Sequence, residues 1–180
     1  MQCNPEEARW FFARRHIRWR GKGFVADGKK ILVLGSGGVG SAIASSFAAA
    51  QAELIALCDA DGAAMNGLAD RLRTYYPSLS VETGNNDPAG YDLVVNATPL
   101  GMNADDPMPL DVSRISPTTF VGDVVMKQEM TPFLTAVKTR GCKIQVGIDM
   151  LFEQIPAYLE FFGFPTTTPE ELIRLAEIRY

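Results

Sequence analysis

From Lys30 onward, short apolar runs alternate with stretches whose apolar residues return at helical spacing. Lys30 to Leu34 reads as a first buried strand, and the alanine-rich stretch Ser41 to Ala50 as a helix. Glu53 to Cys58 is a second strand. A helix comes next over Asp61 to Tyr75, with Met65, Leu68, Ala69 and Leu72 on one face, until Pro77 stops it. Leu79 to Glu82 is a thin third strand, and Gly84 to Gly90 is a loop. Tyr91 to Ala97 is a fourth, buried strand, Phe120 to Val125 a fifth and Lys143 to Val146 a sixth. Between the last two, Thr131-Pro132 opens a helix that Gly141 closes. Asp149 to Phe162 is helical, with Pro156 expected to kink or break it. Thr168-Pro169-Glu170-Glu171 starts a final helix with a capping box.

This rhythm predicts an α/β domain over residues 29–180: a doubly wound parallel sheet of about six strands, with C-terminal helices. Residues 1–28 form a basic, aromatic N-terminal segment expected to be helical, with Asn4 as N-cap and Pro5 at the first position. Arg9, Arg14, Arg15, Arg18, Arg20 and Lys22 face only Glu6 and Glu7 there. That gives the first 22 residues a net +4 and leaves −8 for the rest of a chain whose total is −4. The segment reads either as an ordinary amphipathic lead-in helix or as a surface that docks on another chain or a second copy. An acidic body opposes polyanions, so nucleic acid is not an expected partner.

Cys3, Cys58 and Cys142 are scattered, and His16 is the single histidine, so no disulfide ladder, metal site or histidine triad is expected. No apolar run reaches membrane-spanning length and no leader pattern opens the chain, so the expected address is cytoplasmic, with no membrane partner.

The chemistry concentrates at the end of the first strand. Gly35, Gly37 and Gly40 complete G-x-G-x-x-G at the passage from strand to helix, and Asp59 stands just after the second strand, nineteen positions after Gly40. Gly35 permits a sharp turn, Gly37 leaves room for a pyrophosphate, and Gly40 lets the helix sit close. The helix start offers free N–H groups to an anion, and a carboxylate at Asp59 accepts from a ribose hydroxyl. The alternative is a glycine-rich turn that binds nothing; strand, helix and distal acid in register favour the dinucleotide. In such a fold ligands lie beyond the carboxyl ends of the strands, which directs attention to the segment after each strand.

Three of those segments carry a resemblance. Asn96-Ala-Thr-Pro-Leu-Gly-Met102, Asp123-Val-Val-Met-Lys-Gln-Glu-Met-Thr131-Pro132 and Gly147-Ile-Asp-Met-Leu-Phe-Glu-Gln154 resemble, in order, motifs of the shikimate/quinate dehydrogenase family. The likeness spans about residues 29–165. It implies that Gly35, Ser36, Gly37, Gly38, Val39 and Gly40 hold the cofactor's pyrophosphate. It also implies that Thr98 and Pro99 line the nicotinamide half, with Val124 and Gly147 near the ring. Gln154 would hydrogen-bond a substrate hydroxyl. Lys127, Asp123 and Asp149 lie near this cleft but read as loop or capping residues.

The chain departs from that pattern in three places. Where NADP-binding members have Asn-Arg-Ser/Thr after the second strand, this chain has Cys58-Asp59-Ala60. A carboxylate there repels a 2′-phosphate, so NAD is expected over NADP. Met126 stands where the family commonly has a substrate-contacting tyrosine, and Gln128 where it commonly has proline. Only 28 residues precede the glycine strand, too few for the family's N-terminal substrate domain with its lysine and aspartate; no catalytic residue is carried over. The expectation is an NAD-dependent oxidoreductase moving a hydride to or from a polyhydroxylated cyclic carboxylate, with poor turnover by this chain alone. The alternative is a non-catalytic NAD-binding module or fragment that works with a partner chain, self-associating through its exposed cleft or its N-terminal segment.

Overall fold

The computed structural model describes residues 23–103 and 105–176. The N-terminal segment's expected helix, with its Asn4 cap, therefore lies almost wholly outside the described residues. Six strands appear: β1 (Lys30–Leu34), β2 (Leu54–Cys58), β3 (Ser80–Thr83), β4 (Leu93–Asn96), β5 (Phe120–Asp123) and β6 (Lys143–Gln145). They form one all-parallel sheet in the order β3-β2-β1-β4-β5-β6, the doubly wound arrangement expected. The helices are α1 (Gly38–Ala49), α2 (Gly62–Tyr75), α3 (Pro132–Thr139), α4 (Gly147–Phe161) and α5 (Pro169–Leu175).

Strand alternation divides the core into two layers. Ile31 and Val33 face one side, where they meet Ile43 and Phe47 of α1, Leu68 and Leu72 of α2, and Met150 of α4. Leu32 and Leu34 face the other, against Phe133, Leu134 and Val137 of α3. Because both faces are covered, β1 and β4 are buried along almost their whole length and read as unbroken apolar runs rather than alternating ones. Each fully buried leucine or isoleucine contributes about 1.5–3 kcal/mol of transfer free energy. Phe24 closes the first layer, edge-on to Phe47 at a centroid distance of 6.2 Å and tilted on Phe120 at 5.7 Å.

Several element ends differ from the sequence reading, each for a local reason. Helix α1 starts at Gly38, three residues earlier than expected, and its first turn includes Gly40, where the helix approaches the turn closely. Strand β4 begins at Leu93, since the Asp92 carboxylate takes the Lys30 N–H at 3.0 Å and the Lys29 ammonium at 3.0 Å. Strand β5 stops at Asp123, whose side chain accepts the Val125 N–H at 3.0 Å. Pro156 neither breaks nor ends α4, which continues to Phe161: proline costs one backbone bond there while the helix stays packed through Met150, Phe152 and Pro156. The expected capping box on α5 is half made. Thr168 Oγ1 accepts the Glu171 N–H at 3.2 Å, but the Glu171 carboxylate pairs with Arg174 instead.

The tightest point in the fold is Gly40. A Cβ there would lie 1.9 Å from the Gly35 carbonyl oxygen, whereas one at Gly37 would meet nothing within 4 Å. Gly40→Ala is therefore expected to lower unfolding free energy by more than about 2 kcal/mol, and Gly37→Ala by no more than about 1 kcal/mol. Urea titration followed by circular dichroism reads both, and equal midpoints for the two variants would contradict the packing described.

Candidate functional site

The carboxyl edge of the sheet is built from two differently made halves. On the β1–β2 side, the chain leaves β1 through Gly35 at φ +95, a conformation that favours glycine. A Cβ there would strike the Ala97 carbonyl oxygen at 2.6 Å, so the turn also needs glycine for room against the end of β4. The Gly35 N–H donates to the Cys58 carbonyl at 2.8 Å, which ties the turn to β2. Helix α1 then begins with Gly37 as N-cap, with no side-chain cap and no acidic residue in its first turn. Its positive end is left to whatever anion arrives. Gly37 and Gly38 are exposed, with open space where a Cβ would point, and Val39 is exposed beside them. An exposed, uncapped helix start over vacant space fits a diphosphate.

Asp59 sits directly after β2 and is half-buried. One of its oxygens accepts the Ser36 N–H and the other accepts the Asp61 N–H at 2.9 Å. The acid is thus held against the glycine turn, and it shapes that turn, a role its sequence position did not disclose. Asp61 in turn caps α2 by accepting from Ala63 and Ala64. Ser36 is buried, and its hydroxyl has no hydrogen-bond partner among the described residues.

On the β4–β5 side the edge is polar and buried. Asn96 and Asp123 are neighbours in register at the last positions of β4 and β5, and neither is accessible to solvent. Asn96 Nδ2 donates to Asp123 Oδ1 at 3.1 Å and to the Leu100 carbonyl at 2.9 Å. Asn96 Oδ1 accepts the Thr98 hydroxyl at 2.6 Å and the Thr98 N–H at 3.2 Å. Asp123 Oδ2 accepts the Thr131 hydroxyl at 2.7 Å, and Thr131 Oγ1 also caps α3 by accepting the Leu134 N–H at 3.2 Å. Burial pushes the Asp123 carboxyl above its usual range, against the pull of the hydrogen bonds it accepts.

The remaining expected residues fall along this half. Thr98 is half-buried and held by Asn96, Pro99 is exposed, and Val124 is half-buried just past β5. Gly147 opens α4 in contact with that same stretch: a Cβ on it would lie 2.5 Å from the Val125 carbonyl oxygen. Gln154 lies two helical turns further along α4, on the same face as Gly147. Gln128 reaches back across the edge, its amide donating to the Gly101 carbonyl at 2.9 Å. Lys127 contacts Asn103 at 3.3 Å, and Met126 and Met102 are exposed. Asp123 closes β5 and, through the Val125 N–H, shapes the loop that follows it. Among the described residues no group of histidines, cysteines or acids is arranged to hold a metal. No described helix is long and apolar enough to cross a membrane.

The sequence reading named Asn96, Asp123 and Thr131 one by one but missed that they form a linked trio. The signal that could have found two of them was a polar residue closing each of two runs of buried apolar ones.

Fold and edge together define a Rossmann domain of the dinucleotide-binding type. More particularly, the chain is similar in sequence to part of shikimate and quinate/shikimate dehydrogenases. It is 32% identical over 166 residues to the shikimate dehydrogenase (NADP(+)) of Jannaschia sp., covering 87% of this chain and 57% of that protein. It is 32% identical over 139 residues to the quinate/shikimate dehydrogenase (NAD(+)) of Corynebacterium efficiens, covering 74% of this chain and 49% of that protein. Among solved structures, quinate dehydrogenase from Corynebacterium glutamicum in complex with NAD superposes with a TM-score of 0.74 at 26% identity, over 93% of this chain and 61% of that one. No family model matches the chain. The chain spans about half the length of the curated relatives it matches, and their names carry both NADP(+) and NAD(+).

The raised Asp123 carboxyl has a consequence for stability against pH. The folded state keeps this proton at pH values where the unfolded chain has released it, so stability falls as pH rises from the ordinary carboxylate range to the folded value. Asp123→Asn is expected to remove that part of the slope. Urea midpoints of both proteins measured from pH 4 to 8 check it, and parallel curves would contradict it.

Proposed function

We propose that this chain binds NAD across the carboxyl edge of its sheet and supplies the cofactor side of a shikimate/quinate dehydrogenase-type oxidoreductase. The observation that carries the reading is the exposed, uncapped start of α1 over open space at Gly37 and Gly38, with Asp59 held beside it. In this reading the first-turn N–H groups of α1, at Gly38, Val39 and Gly40, take the diphosphate. Asp59 accepts from the adenosine ribose, and its charge disfavours a 2′-phosphate, so NAD is preferred to NADP. Thr98, Pro99, Val124 and Gly147 line the nicotinamide side, and Gln154 orients a substrate hydroxyl. When bound, the nicotinamide supplies hydride transfer to or from a polyhydroxylated cyclic carboxylate; the chain's own contribution is to bind, orient and shield.

Met126 offers no hydroxyl toward that substrate, which favours one less polar at this point than shikimate. Residues 1–180 are read as binding NAD firmly while turning over shikimate or quinate slowly. Exposed Val39, Met102 and Met126 on the cleft side favour a second reading, a cofactor module that meets a partner chain or a second copy there. A dimer by light scattering that dissociates with Met126→Glu supports that reading, and a monomer at all concentrations removes it.

Thermal shift with NAD, NADP, shikimate and quinate tests the main reading. A ligand at a hundred times its Kd adds about 2.7 kcal/mol of apparent stability. NAD is expected to stabilise the chain more than NADP at equal concentration, and Asp59→Asn to narrow the ratio of the two affinities about tenfold or more. Equal stabilisation by both cofactors would overturn the NAD preference, and stabilisation by neither would overturn the function.

A further inference from the structure

We propose that the buried Asn96–Asp123 pair, extended by Gln128, is a positioning clamp that fixes the nicotinamide half of the dinucleotide by locking together the loops after β4 and β5. The inference rests on the dinucleotide reading above and assigns three residues that touch no ligand in it.

Stability alone does not call for this pair. Two polar side chains with no solvent access stand at the ends of strands whose other residues are apolar. Desolvating a carboxylate there consumes most of what its hydrogen bonds return, and apolar residues of similar shape pack about as well. What the pair achieves is placement. Asn96 captures the N–H and hydroxyl of Thr98 and the Leu100 carbonyl, which sets the course of the chain after β4. Asp123 captures the Val125 N–H and the Thr131 hydroxyl, which sets the course after β5. The bond between them fastens one loop to the other at 3.1 Å, and Gln128 adds a second crossing at the Gly101 carbonyl, 2.9 Å away. Gly147 rests on the backbone of Val124 and Val125, so the start of α4 takes its position from the same clamp.

Every residue assigned to the nicotinamide side in the functional reading is therefore set by this cluster. The glycine turn packs on Ala97 but has hydrogen-bond anchors of its own in the Cys58 carbonyl and the Asp59 carboxylate. Loosening the clamp should weaken the grip on the nicotinamide and spare the grip on the adenosine diphosphate. A merely structural role would weaken both together.

Calorimetric titration of the 180-residue chain with ADP and with NAD separates these cases. Asp123→Ala is expected to weaken NAD about tenfold and Gln128→Ala about threefold, with ADP changed less than about twofold in each. Asp123→Asn keeps one acceptor oxygen and offers its amide to Thr131, so it should recover part of the NAD affinity. If Asp123→Ala fails to fold, Gln128→Ala carries the test, since its half-buried side chain lies in a loop. Loss of ADP and NAD affinity in parallel, or NAD affinity unchanged in Gln128→Ala, overturns the clamp. A wild-type chain that binds ADP and NAD equally overturns the clamp alone, and one that binds neither overturns the dinucleotide reading as well.

Discussion

The whole carboxyl edge depends on one crossing of backbone, where the chain turns out of β1 and immediately into α1. Gly35 passes so near the end of β4 that a Cβ would meet Ala97 at 2.6 Å, and Gly40 returns so near Gly35 that a Cβ would meet its carbonyl at 1.9 Å. Two successive approaches at that range put the first turn of α1 directly over the strand ends. The unpaired N–H groups of that turn consequently open onto the edge rather than onto a neighbouring side chain. Were either glycine to carry a side chain, α1 would have to lift, and both its packing through Ile43 and Phe47 and its dipole's aim would be lost together.

The rest of the edge is organised by carboxylates that hold backbone in place. Asp59 ties the glycine turn to the end of β2, and Asp123 ties the loop after β5 to the loop after β4 and to α3. In both cases an acceptor-only side chain gathers N–H or O–H donors that the end of a strand leaves without ladder partners. The two halves differ in exposure. Around Asp59 the surface is open, with glycines bare to solvent; around Asp123 the polar atoms are sealed beneath the loops. An edge that opens over a helix N-terminus at one end and is hydrogen-bonded shut at the other suits a ligand with a charged diphosphate and a ring that must be held in one orientation.

The strands and most helices were legible because their causes are local and periodic. The apolar runs at Ile31–Leu34 and Leu93–Val95 could be buried on both faces only in a covered parallel sheet, and Thr131-Pro132 announces its helix through cap chemistry that the structure contains. The capping box at Thr168 was legible only in part, because Arg174, one turn on, competes for the Glu171 carboxylate. The break expected as one outcome at Pro156 does not occur, because local propensity charges proline one hydrogen bond while the burial that keeps α4 continuous is a tertiary matter. Of the site, the glycine turn and Asp59 could be found by spacing; the link from Asn96 to Asp123 could not, since 27 residues and a strand crossover separate the partners.

Side-chain periodicity and the steric limits on single residues act within a few positions of the chain. They suffice for the order of strands and helices, for the turn that only glycine permits, and for the placing of an acid after the second strand. They do not reach the bracing of the glycine turn by Asp59, the meeting of Asn96 with Asp123, or the seat of Gly147 on Val124. Those depend on which strands lie side by side, and hydrogen bonds across a sheet form only after the chain has folded to bring their partners within about 3 Å.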